Sequence, residues 1–317
     1  MFGLDEQLKE IEREFAPEII EDDFDGELPE EPKAKLGDIY KLGNHRLMCG
    51  DSTKEKDVDK LMNGNKADLI VTDPPYNVEY DGNKNPNTQN DFNSGENRKI
   101  ENDKMDNEKF YNFLGSAFKN ADKNLKDGGA WYIWHADSEG LNFRKACESI
   151  GWKVRQCLIW VKNRIMMGRQ DYQWKHEPCL YGWKLGAGHY FTDDRTQTTV
   201  YEDKGIDLKK LKKAEMLNLL ENIFSDKTIS TIIHEDRPSK SELHPTMKPI
   251  KLLARLIRNS SRENETVLDV FGGSGSTLIA CEQLNRSCYM MELDPKYCDV
   301  IINRWETLTG EKAVKVN

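Results

Sequence analysis

The residues best placed to do chemistry are Asp73, Pro74, Pro75 and Tyr76, which stand directly behind the apolar run "ADLIVT" at 67–72. Such a run reads as a short buried strand. Each proline fixes its own φ and pushes the residue before it into an extended conformation. The chain therefore leaves the strand tip stiffly. Asp73 can present a carboxylate, Pro74 a carbonyl and Tyr76 a flat ring. Together they suit a planar ring bearing an exocyclic NH2, with two acceptors for its two hydrogens. A face for stacking is worth about 1–3 kcal/mol per base. The plain alternative is a Pro-Pro turn that only ends a strand.

A second constellation lies at "TVLDVFGGSGSTLIACEQL", 266–284, which reads as strand, glycine turn and helix. The start of such a helix offers backbone N–H donors and a positive dipole end. Glycine lets a ligand approach where a Cβ would collide. Glu292 follows seventeen residues after Gly275, at the end of the next strand, where its carboxylate can accept two ribose hydroxyls. A dinucleotide turn would need a third glycine, and Leu278 stands in its place. That disfavours a nicotinamide cofactor and leaves a nucleoside cofactor, or glycines serving only a tight turn.

The elements that must position these residues alternate. "NEKFYNFLGSAFKNADKNLKDGG" reads as a helix, "AWYIWH" as a strand, "LNFRKACESIG" as a helix and "WKVRQCLIWVK" as a strand; "HPTMKPIKLLARLIRNSS" is a helix entered through Pro249. This rhythm predicts a mostly parallel α/β sheet covered on both faces. Residues 81–104 are Asn-rich and nearly free of large aliphatics, so they read as an irregular loop or a lid over the site. Residues 164–240 break the alternation.

Charge is unevenly spread. The chain carries −9 overall, but residues 1–38 hold fourteen acidic and four basic side chains, which leaves about +1 for the rest. Within that remainder, 144–184 has nine Lys/Arg against three Asp/Glu. An acidic leader thus masks a near-neutral body with a basic region. The leader, 1–35, reads as a solvated extension or an interaction segment, and not as a secretory or transit peptide. No apolar run approaches the length of a membrane span. Seven cysteines without a CxxC pair predict reduced thiols in the cytoplasm and no metal site.

With these motifs in hand, the sequence resembles the amino-group DNA methyltransferases that use S-adenosylmethionine. "DPPY" (73–76) precedes "DVFGGSGST" (269–277), the order of the family's β class; "CGDS" (49–52), "GGAWYIW" (128–134), "HEPCLYGW" (176–183), "HPTMKP" (244–249) and "MELDPKYCDVIINRW" (291–305) extend the likeness over 38–305. The resemblance implies a seven-stranded, doubly wound sheet of the S-adenosylmethionine methyltransferase type, one strand antiparallel, in permuted order. It implies a catalytic half at 36–163, a target-recognition module at 164–243 and a cofactor half at 244–317. Phe271, Gly273 and Gly275 would line the cofactor pocket, with Asp269 in support. Glu292 would take the ribose, Asp51 the adenine edge, and Thr246 with Lys248 the methionine carboxylate. Asp73 to Tyr76 would grip a flipped base in double-stranded DNA. Arg164, Arg169 and Lys175 would contact the duplex, and His176 the base or a structural partner. No metal is implied. A homodimer and a cognate restriction endonuclease are the partners that such relatives suggest.

An aspartate at 73, rather than a serine, favours adenine N6 over cytosine N4. Two readings from other classes stand beside this one: a nicotinamide-linked oxidoreductase on the same type of sheet, and a non-catalytic DNA-binding module.

Overall fold

The structure is a computed structural model and describes residues 18–22, 28–78, 103–166, 171–194, 197–202 and 247–316. The 81–104 loop up to residue 102, and the recognition region from 203 onward, lie outside them.

Among the described residues, ten strands form one sheet. In chain order they are β1 (Ile39–Leu42), β2 (His45–Cys49), β3 (Ala67–Thr72), β4 (Leu125–Trp134), β5 (Gln156–Met166), β6 (Trp174–Trp183), β7 (Val200–Glu202), β8 (Thr266–Asp269), β9 (Ser287–Glu292) and β10 (Val314–Lys315). Their order across the sheet is β10-β1-β2-β9-β8-β3-β4-β6-β5-β7. From β2 to β4 neighbours run parallel, while β6 is antiparallel to both β4 and β5.

Period-two alternation sends successive side chains to opposite faces. On β3, Leu69 and Val71 join one core cluster and Ile70 the other; on β4, Tyr132 and Trp134 oppose Trp131 and Ile133. The helices α4 (Ile250–Ser260), α5 (Ser276–Gln283) and α6 (Pro295–Thr309) cover the first face. The helices α1 (Glu55–Met62), α2 (Asn107–Lys123) and α3 (Gly140–Ser149) cover the second. Both faces of the central strands are therefore covered, which is why Leu69, Ile70 and Val71 of β3 follow one another without a polar break.

The expected seven strands form the middle of the sheet, from β2 to β5 in spatial order, with β6 as the antiparallel member. The sheet is wider than expected because β1 and β10 extend one edge and β7 the other. β6 and β7 lie in the stretch assigned to recognition, yet both are sheet strands, and β6 buries Cys179, Leu180 and Tyr181. Charged and aromatic residues at the start of β6 masked that strand in the sequence.

β3 pairs with β8, and the chain leaves them in opposite directions, through α2 to β4 and through α5 to β9. That reversal opens a crevice at the carboxyl ends of β3 and β8, the usual ligand position in such sheets. It brings Asp73 and the glycine turn to one edge from nearly two hundred residues apart in sequence.

The leader is not merely a solvated tail. Ile19 and Ala34 are buried in the first core cluster. The Lys33 and Ala34 backbone N–H groups donate to Asp299 on α6, at 2.5 and 3.1 Å.

Candidate active site

At the carboxyl end of β3, Asp73 sits in a cluster of charges. The Lys248 ammonium lies 2.6 Å from Asp73 Oδ2, donates to the Tyr76 hydroxyl at 2.9 Å, and lies 3.0 Å from Glu177 Oε2. Tyr76 donates to Asp73 Oδ1 at 2.7 Å, with Glu177 Oε2 3.3 Å away. Lys162, from β5, pairs with the other Glu177 oxygen. Lys248 also lies 5.3 Å from the ring centroids of both Tyr76 and Trp134.

Two ammonium and two carboxylate groups thus balance in a largely buried cluster. The Lys248 side chain is 3% exposed, against 28% for Asp73. Burial alone would raise the Glu177 carboxyl, but Lys248 and Lys162 pull it down to about 2. Burial raises Asp73 above its ordinary value, with Glu177 adding to the rise and Lys248 opposing it. Lys248 is raised, because its two carboxylates outweigh the cost of burial. Glu177 and Lys162 were not among the sequence candidates. The available signal was a charge within otherwise apolar strands, "LIWVK" and "EPCLYGW", since buried Lys and Glu occur almost only as pairs.

Beyond Tyr76 the chain turns at Asn77, which holds a positive φ of 57°. Asn77 clasps the Met105 backbone with two hydrogen bonds, at 2.6 and 3.1 Å, and the Val78 N–H reaches Asp103 at 3.3 Å. Residues 77–78 and 103–105 are therefore fastened together beside the site.

The glycine turn follows β8, the strand that pairs with β3. Asp269 ends β8, accepts from the Thr72 hydroxyl at 2.8 Å and the Phe271 N–H at 3.1 Å, and so stitches the ends of β3 and β8. The Phe271 ring packs 5.7 Å from that of Phe113. Gly275 has φ of 86°, and a Cβ there would meet Ile301 at 3.0 Å, so both backbone and packing require glycine. At Gly273 a Cβ would meet nothing within 4 Å. Its open side lets a ligand reach the backbone, and its N–H donates to Glu292 Oε2 at 2.7 Å.

Glu292 also accepts from the Asp294 N–H at 2.9 Å. It pairs in register with Cys49, so Asp51 stands two residues past the adjoining position on β2. Asp51 accepts from both the N–H and the hydroxyl of Thr53, at 2.9 and 2.6 Å. Two carboxylates at neighbouring strand ends, beside a turn open at Gly273, fit a nucleoside with hydroxyl and amino donors. Of the remaining sequence candidates, Lys175 is exposed on β6, Arg164 lies on β5, and Arg169 and Thr246 fall outside the described residues. Among the described residues, no His/Cys/Asp/Glu group could hold a metal and no helix is long and apolar enough to cross a membrane.

Residues 67–304 match the model of the N6/N4 DNA methylase family. The chain belongs to this family, the amino-group DNA methyltransferases, whose methyl donor is S-adenosylmethionine. Among its relatives is the Type II methyltransferase M.BglII of Bacillus subtilis, 24% identical over 97% of this chain and 79% of the relative. The fold resembles the M1.HpyAVI–SAM complex, with a TM-score of 0.54, 19% identity, and 81% of this chain and 97% of that one covered. It also resembles the cytosine-N4-specific PvuII DNA methyltransferase, with a TM-score of 0.55, 14% identity, and 89% and 98% covered.

Two tests follow from these charges. Removing one member of a buried pair typically costs about 3–5 kcal/mol. Glu177→Gln is expected to lose roughly 3 kcal/mol in chemical denaturation, and adding Lys162→Met should recover most of that by rebalancing charge. The second test concerns pH. Burial raises both Asp269 and Glu292 to about 7. The folded chain then binds more protons than the unfolded one between the ordinary carboxylate range and about pH 7. Its stability is expected to fall as pH rises through that window. Thermal melting of the ligand-free protein from pH 5 to 8 measures this, and Asp269→Asn should flatten the slope.

Proposed function

We propose that the chain methylates adenine N6 of a base flipped out of double-stranded DNA, with Asp73, Pro74, Pro75 and Tyr76 as the clamp. The observation that carries this reading is a two-oxygen carboxylate at the sheet's reversal point, hydrogen-bonded to a tyrosine and standing at the end of the strand next to β8, which the glycine turn follows. S-adenosylmethionine supplies an electrophilic methyl group on a sulfonium; Phe271, Gly273, Gly275, Glu292, Asp51 and Asp269 are the residues that would hold it, with Thr246 beside the methionine end.

Adenine N6 is a weak nucleophile because its lone pair is delocalised into the ring. Accepting both N–H bonds, at Asp73 and at the Pro74 carbonyl, favours a more tetrahedral nitrogen. Fixed acceptors then need no reorganisation as charge develops. Asp73 need not remove a proton beforehand, since the nitrogen becomes acidic as the new bond forms. Lys248 would have to leave three oxygens to serve a methionine carboxylate, so it is assigned here as the partner of Asp73. Its ammonium occupies the oxygen that an amino group would take, and Glu177 keeps it paired when the base arrives.

The strand ends of the β5–β6 hairpin lie on the same sheet edge as Asp73, because β5 runs with the parallel strands and β6 against them. Exposed Tyr172, Trp174 and Lys175 stand there. This placement supports a duplex-contacting edge, to which Arg164 and Arg169 also belong by sequence.

Cytosine N4 is the second reading, and the fold shared with the cytosine-N4-specific PvuII enzyme keeps it in view. Mass spectrometry of nucleosides from an expressing host is expected to show N6-methyladenine, and N4-methylcytosine instead would overturn the adenine assignment. Asp73→Ala should abolish methyl incorporation, by at least about a hundredfold, while S-adenosylmethionine binding persists in calorimetry. Lys175→Ala is expected to reduce the slope of log affinity against log salt by about one on non-specific duplex DNA. An unchanged slope would remove Lys175 from the DNA contact.

A further inference from the structure

Residues 18–22 are remote in sequence from every motif above, yet they tie three parts of the cofactor half together. The Ile20 backbone exchanges two hydrogen bonds with the Gln283 side chain at the end of α5, at 2.8 and 2.9 Å. Ile19 enters the core beside them. Glu21 accepts from the backbone N–H groups of Ile250 and Lys251, at 2.9 and 2.7 Å. Those are the first residues of α4, whose N-cap, Pro249, has no side-chain hydrogen bond to offer. Glu21 therefore caps a helix from 229 residues away, and the helix begins two residues after Lys248.

Asp22 acts on the other wall. It grips the Arg304 guanidinium in two places, at 2.5 and 2.7 Å. Arg304 projects from α6 with its side chain 1% exposed. It donates to the Ser274 carbonyl at 2.9 Å and the Ser276 hydroxyl at 3.1 Å. Ser274 separates Gly273 from Gly275, and the Gly273 N–H is held on Glu292. A line of charge-assisted bonds thus runs from the leader, under the glycine turn, to the ribose-binding carboxylate. A buried guanidinium is costly to desolvate, and a carboxylate that accepts from it in two places offsets that cost.

We propose that residues 18–22 form a strap that positions the S-adenosylmethionine pocket, with Asp22 setting the glycine turn through Arg304 and Glu21 setting the start of the helix behind Lys248. The strap rests on the reading that the glycine turn and Glu292 hold that cofactor. Neither acid touches the ligand; both are positioning residues. Their effect belongs in affinity for S-adenosylmethionine, whereas a purely structural role would change melting alone.

Calorimetric titration of the full-length, DNA-free protein with S-adenosylmethionine, paired with thermal melting, tests this. Asp22→Asn and Glu21→Gln are each expected to weaken binding about tenfold. Asp22→Glu, which keeps the charge, should restore most of the affinity. Asp299→Asn releases Lys33 and Ala34 elsewhere on the same leader, and should lower the melting temperature without changing affinity. If Asp22→Asn does not fold, the charge-balanced pair Asp22→Asn with Arg304→Met decides by the same measure. Folded variants that bind as tightly as the wild type would overturn the strap alone. A wild-type protein that does not bind S-adenosylmethionine would overturn the cofactor reading and the strap with it.

Discussion

The structure depends on buried charge being answered by buried charge at the carboxyl edge of one sheet. Asp73, Lys248, Glu177 and Lys162 come from four separate places in the chain, the β3 end, the entry to α4, β6 and β5. None could remain ionised there alone, because desolvation would neutralise it or force it out to water. Held together they sum to zero and fix one another's positions. The fold is what makes them neighbours, and the neighbours are what hold the Asp73 carboxylate at the end of β3.

The same rule operates behind the cofactor turn. Arg304 lies under the glycines with its charge answered by Asp22, while Asp269 and Glu292 meet backbone N–H groups instead of cations. That difference in partner has a chemical consequence. Carboxyls answered only by neutral donors keep most of the rise that burial imposes, to about 7, whereas Glu177, facing two ammonium groups, is held firmly ionised. The two walls of the crevice therefore differ in electrostatic character: a balanced ionic clamp on one side and a polar, hydrogen-bonding cradle on the other.

Much of this was legible before any coordinates. The Pro-Pro step after "ADLIVT", the glycines after "TVLDV" and Glu292 each carry their geometry locally, through fixed φ, absent Cβ atoms and strand periodicity. Helix α4 was readable from its entry at Pro249. What escaped were residues whose meaning is a partner far away. Glu177 and Lys162 looked like single charges in apolar strands, and residues 18–22 looked like part of an acidic tail. β10 and β7 escaped because short edge strands have too few residues to show a period.

The sequence by itself determined the family, the alternating α/β order and the glycine turn between β8 and α5, because rigid prolines, glycines and apolar periods act over a few residues. Only the tertiary structure decided that Lys248 stands on Asp73, that Glu177 and Lys162 complete the charge balance, and that Glu21 and Asp22 belong to the cofactor half. Those are contacts across as many as 282 residues. Electrostatic pairing of this kind depends on distance through the folded interior and leaves no periodic trace along the chain.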